Sequence, residues 1–436
     1  MYKTIVFSLL AVVFASLSFG QPKQQTVITT DIDNFWNAYD SIRTTNDSVK
    51  QIRYILNLYI DKGTSGLKAF MAAKDYTAES WVSSIRQHPK FWNSIRPNTQ
   101  KVKNLDAEFE PQIAKLKTLY PELKPANIYF TIGALRSGGT TQDGRVLIGS
   151  ELATGNAETD ISEFTGNTRK FLNTYFITDP IKNIVALNIH EYVHTQEGHY
   201  GYNLLSQSIY EGTCDFVTQL VTGKTMPLPY MDFGPQHEAE IREKFKVEMY
   251  MPSWNNWLYN SGSGGNWVPD LGYYMGYAIC KSYYQNSPNK KLAVKQMILL
   301  DYTDSVAVEA FLARSKYFKE RLDKPALIKA YNAKRPSVVK LIPFTNGDTL
   351  VNASVKEIRL EFSAEMARNT SIDYGPSGKD HFPITGHLGF AADKRSIAYQ
   401  VTLKPDTEYE FVVNDGFRSA DGYPLKTYRV KFKTRK

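Results

Sequence analysis

Apolar residues recur at helical spacing through the first 120 positions. Ile32, Phe35, Trp36, Tyr39 and Ile42 form one stripe, with Thr30 or Asp31 placed to cap its start. Ile52, Ile55, Leu56 and Tyr59 form a second, ending near Gly63. Leu67, Phe70 and Met71, then Trp81, Val82 and Ile85, then Ile113, Leu116 and Tyr120 extend the pattern. Residues 21–125 therefore read as a helical region whose aromatic stripes are core. The texture changes at Ala126. Runs 127–132 and 145–148 are β-rich, and the glycine-rich stretch between them predicts a hairpin over 127–149. That stretch is no phosphate loop, because it lacks GxxxxGK[ST] and a following helix.

A loop-rich passage over 153–180 leads to a helix bearing residues 189–194, and helix continues through Leu220. The chain loosens at Pro227-Leu228-Pro229 and resumes in a charged helix over 238–251. Residues 260–266 are a Ser/Gly loop, suited to a mobile lid or to a plain connection. Gly272-Tyr273-Tyr274-Met275-Gly276-Tyr277 opens another helix, and helices with core positions Val308, Phe311 and Leu312 run to about Asn332. After Lys334-Arg335-Pro336-Ser337 the period becomes two: Ile358, Leu360, Phe362; Ile397, Tyr399, Val401; Tyr409, Phe411, Val413; Tyr428, Val430, Phe432. Short alternating strands of this kind predict a β-sandwich over 338–436. The expected fold class is α+β: a mainly helical part with a small sheet, then an all-β sandwich.

Composition adds limits. A chain of 436 residues has room for two or three domains. The net charge of +8 is spread without a Lys/Arg block, so nucleic-acid binding is not expected. Residues 1–20 read as a signal peptide: Lys3, an apolar run over 5–15, and Ser18-Phe19-Gly20 as cleavage site. The run is too short to span a bilayer, and no later stretch is long enough. No Cys follows it to carry a lipid. The expected location is therefore outside the cytoplasm: periplasm, medium or cell surface. Cys214 and Cys280 are the two cysteines; they either form one bridge or are two buried thiols.

The candidate chemistry lies in Ile189-His190-Glu191-Tyr192-Val193-His194. At about 100° per residue, His190 and His194 share a helix face with Glu191 beside them. Two imidazoles so spaced bind zinc, with the Glu as general base; the bland alternative is a pair of satisfied histidines on a buried helix. Glu211 can supply a third ligand from a second helix, and Asp215, four residues on, faces the same way. Asp215 can then accept the far N–H of a ligand imidazole. Rival third ligands are weaker. His199 falls one residue short of the HExxHxxGxxH frame, and Glu197 reads as a solvated helix-end charge.

HExxH followed by Glu211-Gly212-Thr213-Cys214-Asp215 resembles the gluzincin (thermolysin-like) zinc metallopeptidases, and is most similar to bacterial predicted Zn-dependent proteases of unknown substrate. The resemblance implies Zn2+ on His190, His194 and Glu211, Glu191 as base, and Asp215 behind an imidazole. It also implies that the 127–149 edge pairs with extended substrate, and that a Tyr or His donates to the oxyanion. The GYxxGY-like segment makes Tyr273 the favoured donor and Tyr277 the second, with His237 behind them. Asn346-Gly347-Asp348, Phe362-Ser363-Ala364-Glu365-Met366 and Asp421-Gly422-Tyr423-Pro424 resemble a bacterial Ig-like domain, a spacer or binding appendage. The division expected is 1–20 signal, 21–125 helical region, 126–335 zincin-like catalytic domain packed on it, and 338–436 Ig-like sandwich. The function expected is hydrolysis of peptides or proteins by an exported zinc enzyme. The alternatives are a cell-surface glycan- or protein-binding protein with a vestigial peptidase domain, and a zinc hydrolase of non-peptide amides or esters.

Overall fold

The computed structural model describes residues 26–260 and 268–436. The segment read as a signal peptide, and all but the first residue of the 260–266 loop, lie outside them. Among the described residues, the N-terminal part holds six α-helices: α1 (Thr30–Ile42), α2 (Ser48–Ile55), α3 (Ser65–Lys74), α4 (Ala78–Gln87), α5 (Pro89–Lys101) and α6 (Asp106–Leu119). The α1 stripe, Ile32 to Ile42, is buried at every apolar position. The side chain of Asp47 accepts the N–H groups of Val49 and Lys50, and Thr77 with Ser80 forms a capping box. These caps satisfy donors that the first turn leaves free.

A four-stranded sheet follows, ordered β1-β2-β4-β3, with β1 (Val27–Ile28), β2 (Asn127–Thr131), β3 (Gly139–Gln142) and β4 (Arg145–Gly149). The expected hairpin over 127–149 is not what forms. β2 and β4 pair in parallel, Asn127 opposite Arg145, while β3 returns antiparallel to β4 at the sheet edge. The reason is burial. Ile128, Tyr129, Phe130, Val146, Leu147 and Ile148 are all buried, and unbroken apolar runs belong to strands covered on both faces. The true hairpin is β3–β4, turned by Asp143 (φ 50°) and Gly144 (φ 69°), both in the left-handed region that such a two-residue turn requires.

Beyond the sheet come α7 (Ser150–Ala153), α8 (Gly166–Ile177), α9 (Ile184–His194) and α10 (Leu204–Thr222). The passage over 153–180 is thus not all loop. Helix α8 buries only Leu172 and Phe176, which left its apolar stripe faint. Then follow α11 (Pro229–Gln236), α12 (Glu238–Glu248), α13 (Leu271–Asn286), α14 (Lys290–Ile298), α15 (Ser305–Ser315) and α16 (Lys324–Lys334). One apolar core joins α1–α6, the sheet and α9; a second lies beneath α10–α15. Among the described residues no helix is long and apolar enough to cross a membrane.

The C-terminal part is all-β. One sheet runs β5-β6-β9-β8, the other β7-β10-β11, with β5 (Val338–Ile342), β6 (Glu357–Phe362), β7 (Ile372–Tyr374), β8 (Ile384–Phe390), β9 (Ser396–Val401), β10 (Glu408–Val413) and β11 (Tyr428–Lys433). Alternate residues fill a third core: Ile358, Leu360, Ile397, Phe411 and Val430 among them. A small cluster of Met251, Tyr331 and Tyr423 joins this part to the helices.

Candidate metal centre

The site is built where α9, α10 and α13 meet. Helix α10 starts with a reciprocal cap between Asn203 and Ser206 and ends at Gly223, whose φ of 78° suits glycine. It crosses α13 backbone to backbone. A Cβ on Gly212 would lie 2.0 Å from the Gly276 carbonyl carbon, and one on Gly276 would lie 1.6 Å from the Ser208 carbonyl oxygen. Only glycine permits this approach, which sets Glu211 and Asp215 against α9 and brings Tyr273 alongside.

His190 Nδ1 donates to Asp215 Oδ1 at 2.8 Å, and Tyr230 donates its hydroxyl to Asp215 Oδ2 at 3.0 Å. His194 Nδ1 donates to Glu197 Oε2 at 2.7 Å, and the Tyr302 hydroxyl donates to Glu197 Oε1 at 2.9 Å. Each ring therefore carries its proton on Nδ1 and turns the Nε2 lone pair outward. Those two nitrogens lie 3.1 Å apart, with Glu211 Oε2 at 3.1 Å from His194 Nε2 and 3.4 Å from His190 Nε2. Glu197 corrects the sequence reading: it is no solvated charge, because its side chain is fully buried behind His194. The chain curls back after α9, and Tyr302, far along the sequence, completes the pocket around it.

Three lone-pair atoms facing one point form an electron-rich cluster that only positive charge relieves. The protons show it. Burial opposes a charged His190, yet its hydrogen bonds to Asp215 and Glu211 push the imidazole up to about 9. Burial likewise works against ionised Glu211, but the adjacent His194 and His190 hold its carboxyl far below the usual range. A divalent cation answers the same demand, and two imidazoles with one carboxylate suit zinc. His190, His194 and Cys214 also form a group whose donor atoms lie within 4.8 Å of one another. The Cys214 sulfur, however, sits 3.2 Å from His194 Nδ1, behind the ring rather than before Nε2. Burial, then the Glu197 charge, raises its thiol well above the ordinary value. Both cysteines are free thiols, so the bridge between Cys214 and Cys280 does not form.

Beside this cluster opens a cleft of about 750 Å3, lined by His190, Glu191, Tyr273, Tyr230, Tyr175 and Gly139. Glu191 is half-buried. Burial, then the Glu191 charge, pushes the Tyr175 hydroxyl up to about 12. The Tyr273 ring lies 6.2 Å from that of His190 and 5.3 Å from that of Tyr230. Tyr277 is not at the cleft. Its hydroxyl donates to Gln219 Oε1 at 2.7 Å and it packs against Phe216, one turn too far along α13 to face His190. His237 stacks on Phe233 and His199 is exposed; neither lines the cleft.

Sequence reasoning missed four tyrosines besides. Tyr230 and Tyr302 hold the carboxylates behind the imidazoles, Tyr210 stacks on His194 at 4.5 Å, and Tyr259 donates to Glu211 Oε1 at 2.5 Å. Only Tyr210 carried a signal, since it directly precedes Glu211.

No curated protein matches the chain. Among solved structures, it is similar to CopC from Methylosinus trichosporium OB3b, 23% identical over 23% of this chain and 94% of that one, with a TM-score of 0.18. It is also similar to the catalytic module of the metalloprotease ZmpA from Clostridium perfringens, 12% identical over 93% of this chain and 74% of that one, with a TM-score of 0.14. Superpositions this loose carry no argument about the site. Residues 332–434 match the bacterial Ig-like domain family, so the chain ends in a bacterial Ig-like domain.

Proposed function

We propose that the protein is an exported zinc metallopeptidase of gluzincin type. The observation that carries this reading is the convergence of His190 Nε2, His194 Nε2 and Glu211 Oε2 beside a cleft that Glu191 lines. Zinc held by these three residues would supply Lewis acidity toward a carbonyl and toward water. Glu191 takes the proton of the attacking water and hands it to the leaving amine. Tyr273, whose hydroxyl has no hydrogen-bond partner among the described residues, donates to the tetrahedral oxyanion. Asp215 and Glu197 keep both imidazoles in the Nδ1–H tautomer. A peptide substrate is supported by β3, an edge strand whose first residue, Gly139, lines the cleft and leaves backbone groups for pairing. Export rests on the pattern of residues 1–20. The proposed catalytic unit is 126–335 with 21–125 packed on it.

The test is metal content of the purified chain, then cleavage of a peptide library. About one zinc per chain is expected, with less in Glu211→Ala. Glu191→Gln should keep the metal and lose turnover; hydrolysis by that variant removes Glu191 as the base. The Ig-like domain favours a second reading, a surface protein that binds a glycan or protein through residues 338–436. A wild-type chain that takes up no zinc after reconstitution selects it.

A further inference from the structure

The segment over 252–260 contains no helix or strand, and it is tied at its two ends to different parts of the molecule. At one end it meets the Ig-like domain. Arg418 Nη1 donates to Ser253 Oγ at 3.2 Å, and Asn256 Nδ2 donates to the Asp421 carbonyl at 3.4 Å. Beside these contacts the buried carboxylate of Glu248, at the end of α12, is shared: Tyr423 donates to Oε1 and Trp257 Nε1 to Oε2, both at 2.9 Å. One oxygen thus serves the Ig-like domain and the other serves the segment. The fit is close, since a Cβ on Gly422 would lie 2.1 Å from Asn256 Oδ1.

At the other end is Tyr259. Its hydroxyl donates to Glu211 Oε1 at 2.5 Å and accepts from Gln207 Nε2 at 2.7 Å. Its backbone has φ 55°, a left-handed conformation that disfavours a side chain and persists where surrounding contacts impose it. The hydroxyl proton that Tyr259 donates to Oε1 stops the Glu211 carboxylate rotating, which leaves Oε2 facing the two imidazoles.

We propose that Tyr259 is a positioning residue for Glu211, and that the Ig-like domain sets it there through the Tyr423–Glu248–Trp257 contact. The inference rests on the metal-centre reading above. It makes the Ig-like domain a brace of that centre rather than a spacer. Two consequences separate it from ordinary packing. Removing the Tyr259 hydroxyl loosens metal binding with the fold kept, and removing the Tyr423 hydroxyl does so from within the other domain.

The experiment uses the full chain, with zinc affinity read by competition against a chromophoric chelator. Wild type is compared with Tyr259→Phe, Tyr423→Phe, the double variant and Tyr399→Phe. Tyr399 is a control, a buried tyrosine of the Ig-like domain whose hydroxyl has no partner among the described residues. Tyr259→Phe should weaken binding roughly 10-fold, the lower end of losses for partners of a ligand. Tyr423→Phe should weaken it by a smaller factor, and the double variant should be no worse than Tyr259→Phe alone, as one shared path requires. Tyr399→Phe should match wild type. Cobalt(II) loading gives a second readout: the visible band should shift in Tyr259→Phe, whereas a packing role would change only the melting temperature. If Tyr423→Phe unfolds, Glu248→Gln reads the same contact. Wild-type affinity in Tyr259→Phe or in Tyr423→Phe, or additive losses in the double variant, overturns the proposal while leaving the metal centre standing. A wild-type chain that binds no zinc overturns both.

Discussion

Replacing Gly276 with alanine tests whether the α10–α13 crossing holds the centre together. The added methyl would lie 1.6 Å from the Ser208 carbonyl oxygen and 2.4 Å from its carbon. An ordinary carbon–oxygen contact is about 3.3 Å, so α13 must withdraw by roughly 1.7 Å along that line. The obstacle is main chain, which has no rotamer to yield. Overpacking of this kind costs about 1–3 kcal/mol, and a backbone clash belongs at the upper end. Alanine returns about 1 kcal/mol of helix propensity. The net loss is then about 2 kcal/mol, a fall in melting temperature of roughly 2–3 °C for a chain this long. The site should suffer too, because Glu211 adjoins Gly212, the residue directly across the contact. Metal ligands tolerate displacements of only about 0.2 Å, so zinc affinity should drop by at least ~10-fold. Thermal melts with and without zinc, alongside chelator competition, read both effects. A variant that melts at or above the wild-type temperature, as propensity alone would give, refutes the reasoning.

Two further outcomes follow from buried carboxylates. Asp215→Asn should lower zinc affinity about 10–100-fold with the fold retained, since the amide cannot offer His190 a full negative charge; chelator competition measures it, and unchanged affinity removes Asp215 from the centre. Burial pushes Glu151 up to about 7, despite the N–H groups of Gly133 and Leu135 that it accepts. The native chain therefore keeps a proton that the unfolded chain releases from its usual value near 4.5. Stability should fall as pH rises from about 4.5 to 7, by up to roughly 3 kcal/mol, and level off above. Urea midpoints across that range should decline in wild type and be flatter in Glu151→Gln; equal slopes would show that another group sets the dependence.

What could be read from the sequence was what depends on periodicity alone. Spacing of four along a helix puts His190 with His194 and Glu211 with Asp215, and the alternation after 338 marks the strands that the Ig-like family match covers. What could not be read depends on tertiary paths. Glu197 looked like a helix-end charge because the residue that buries its carboxylate, Tyr302, comes from beyond α14. Tyr259 carried no signal, since a left-handed backbone and a partner on α10 bring it in. Tyr277 shares the side of α13 that helical spacing gives Tyr273, yet Gln219 draws its hydroxyl away. β2 and β4 looked like two arms of a hairpin because an apolar run does not state its direction, and the covering on both faces that decides it comes from helices elsewhere.

Helix α10 is buried almost without interruption from Leu204 to Thr218. Amide hydrogens in such an element exchange with solvent only through global opening, and the segment over 252–260, though without regular structure, is itself held by the buried Trp257 and Leu258. The surroundings of Glu211 therefore share one lifetime: the helix that carries the carboxylate and the segment that brings the Tyr259 hydroxyl are anchored in the same apolar core. An ion at this centre would meet ligands and a restraint that loosen together, only when that core does.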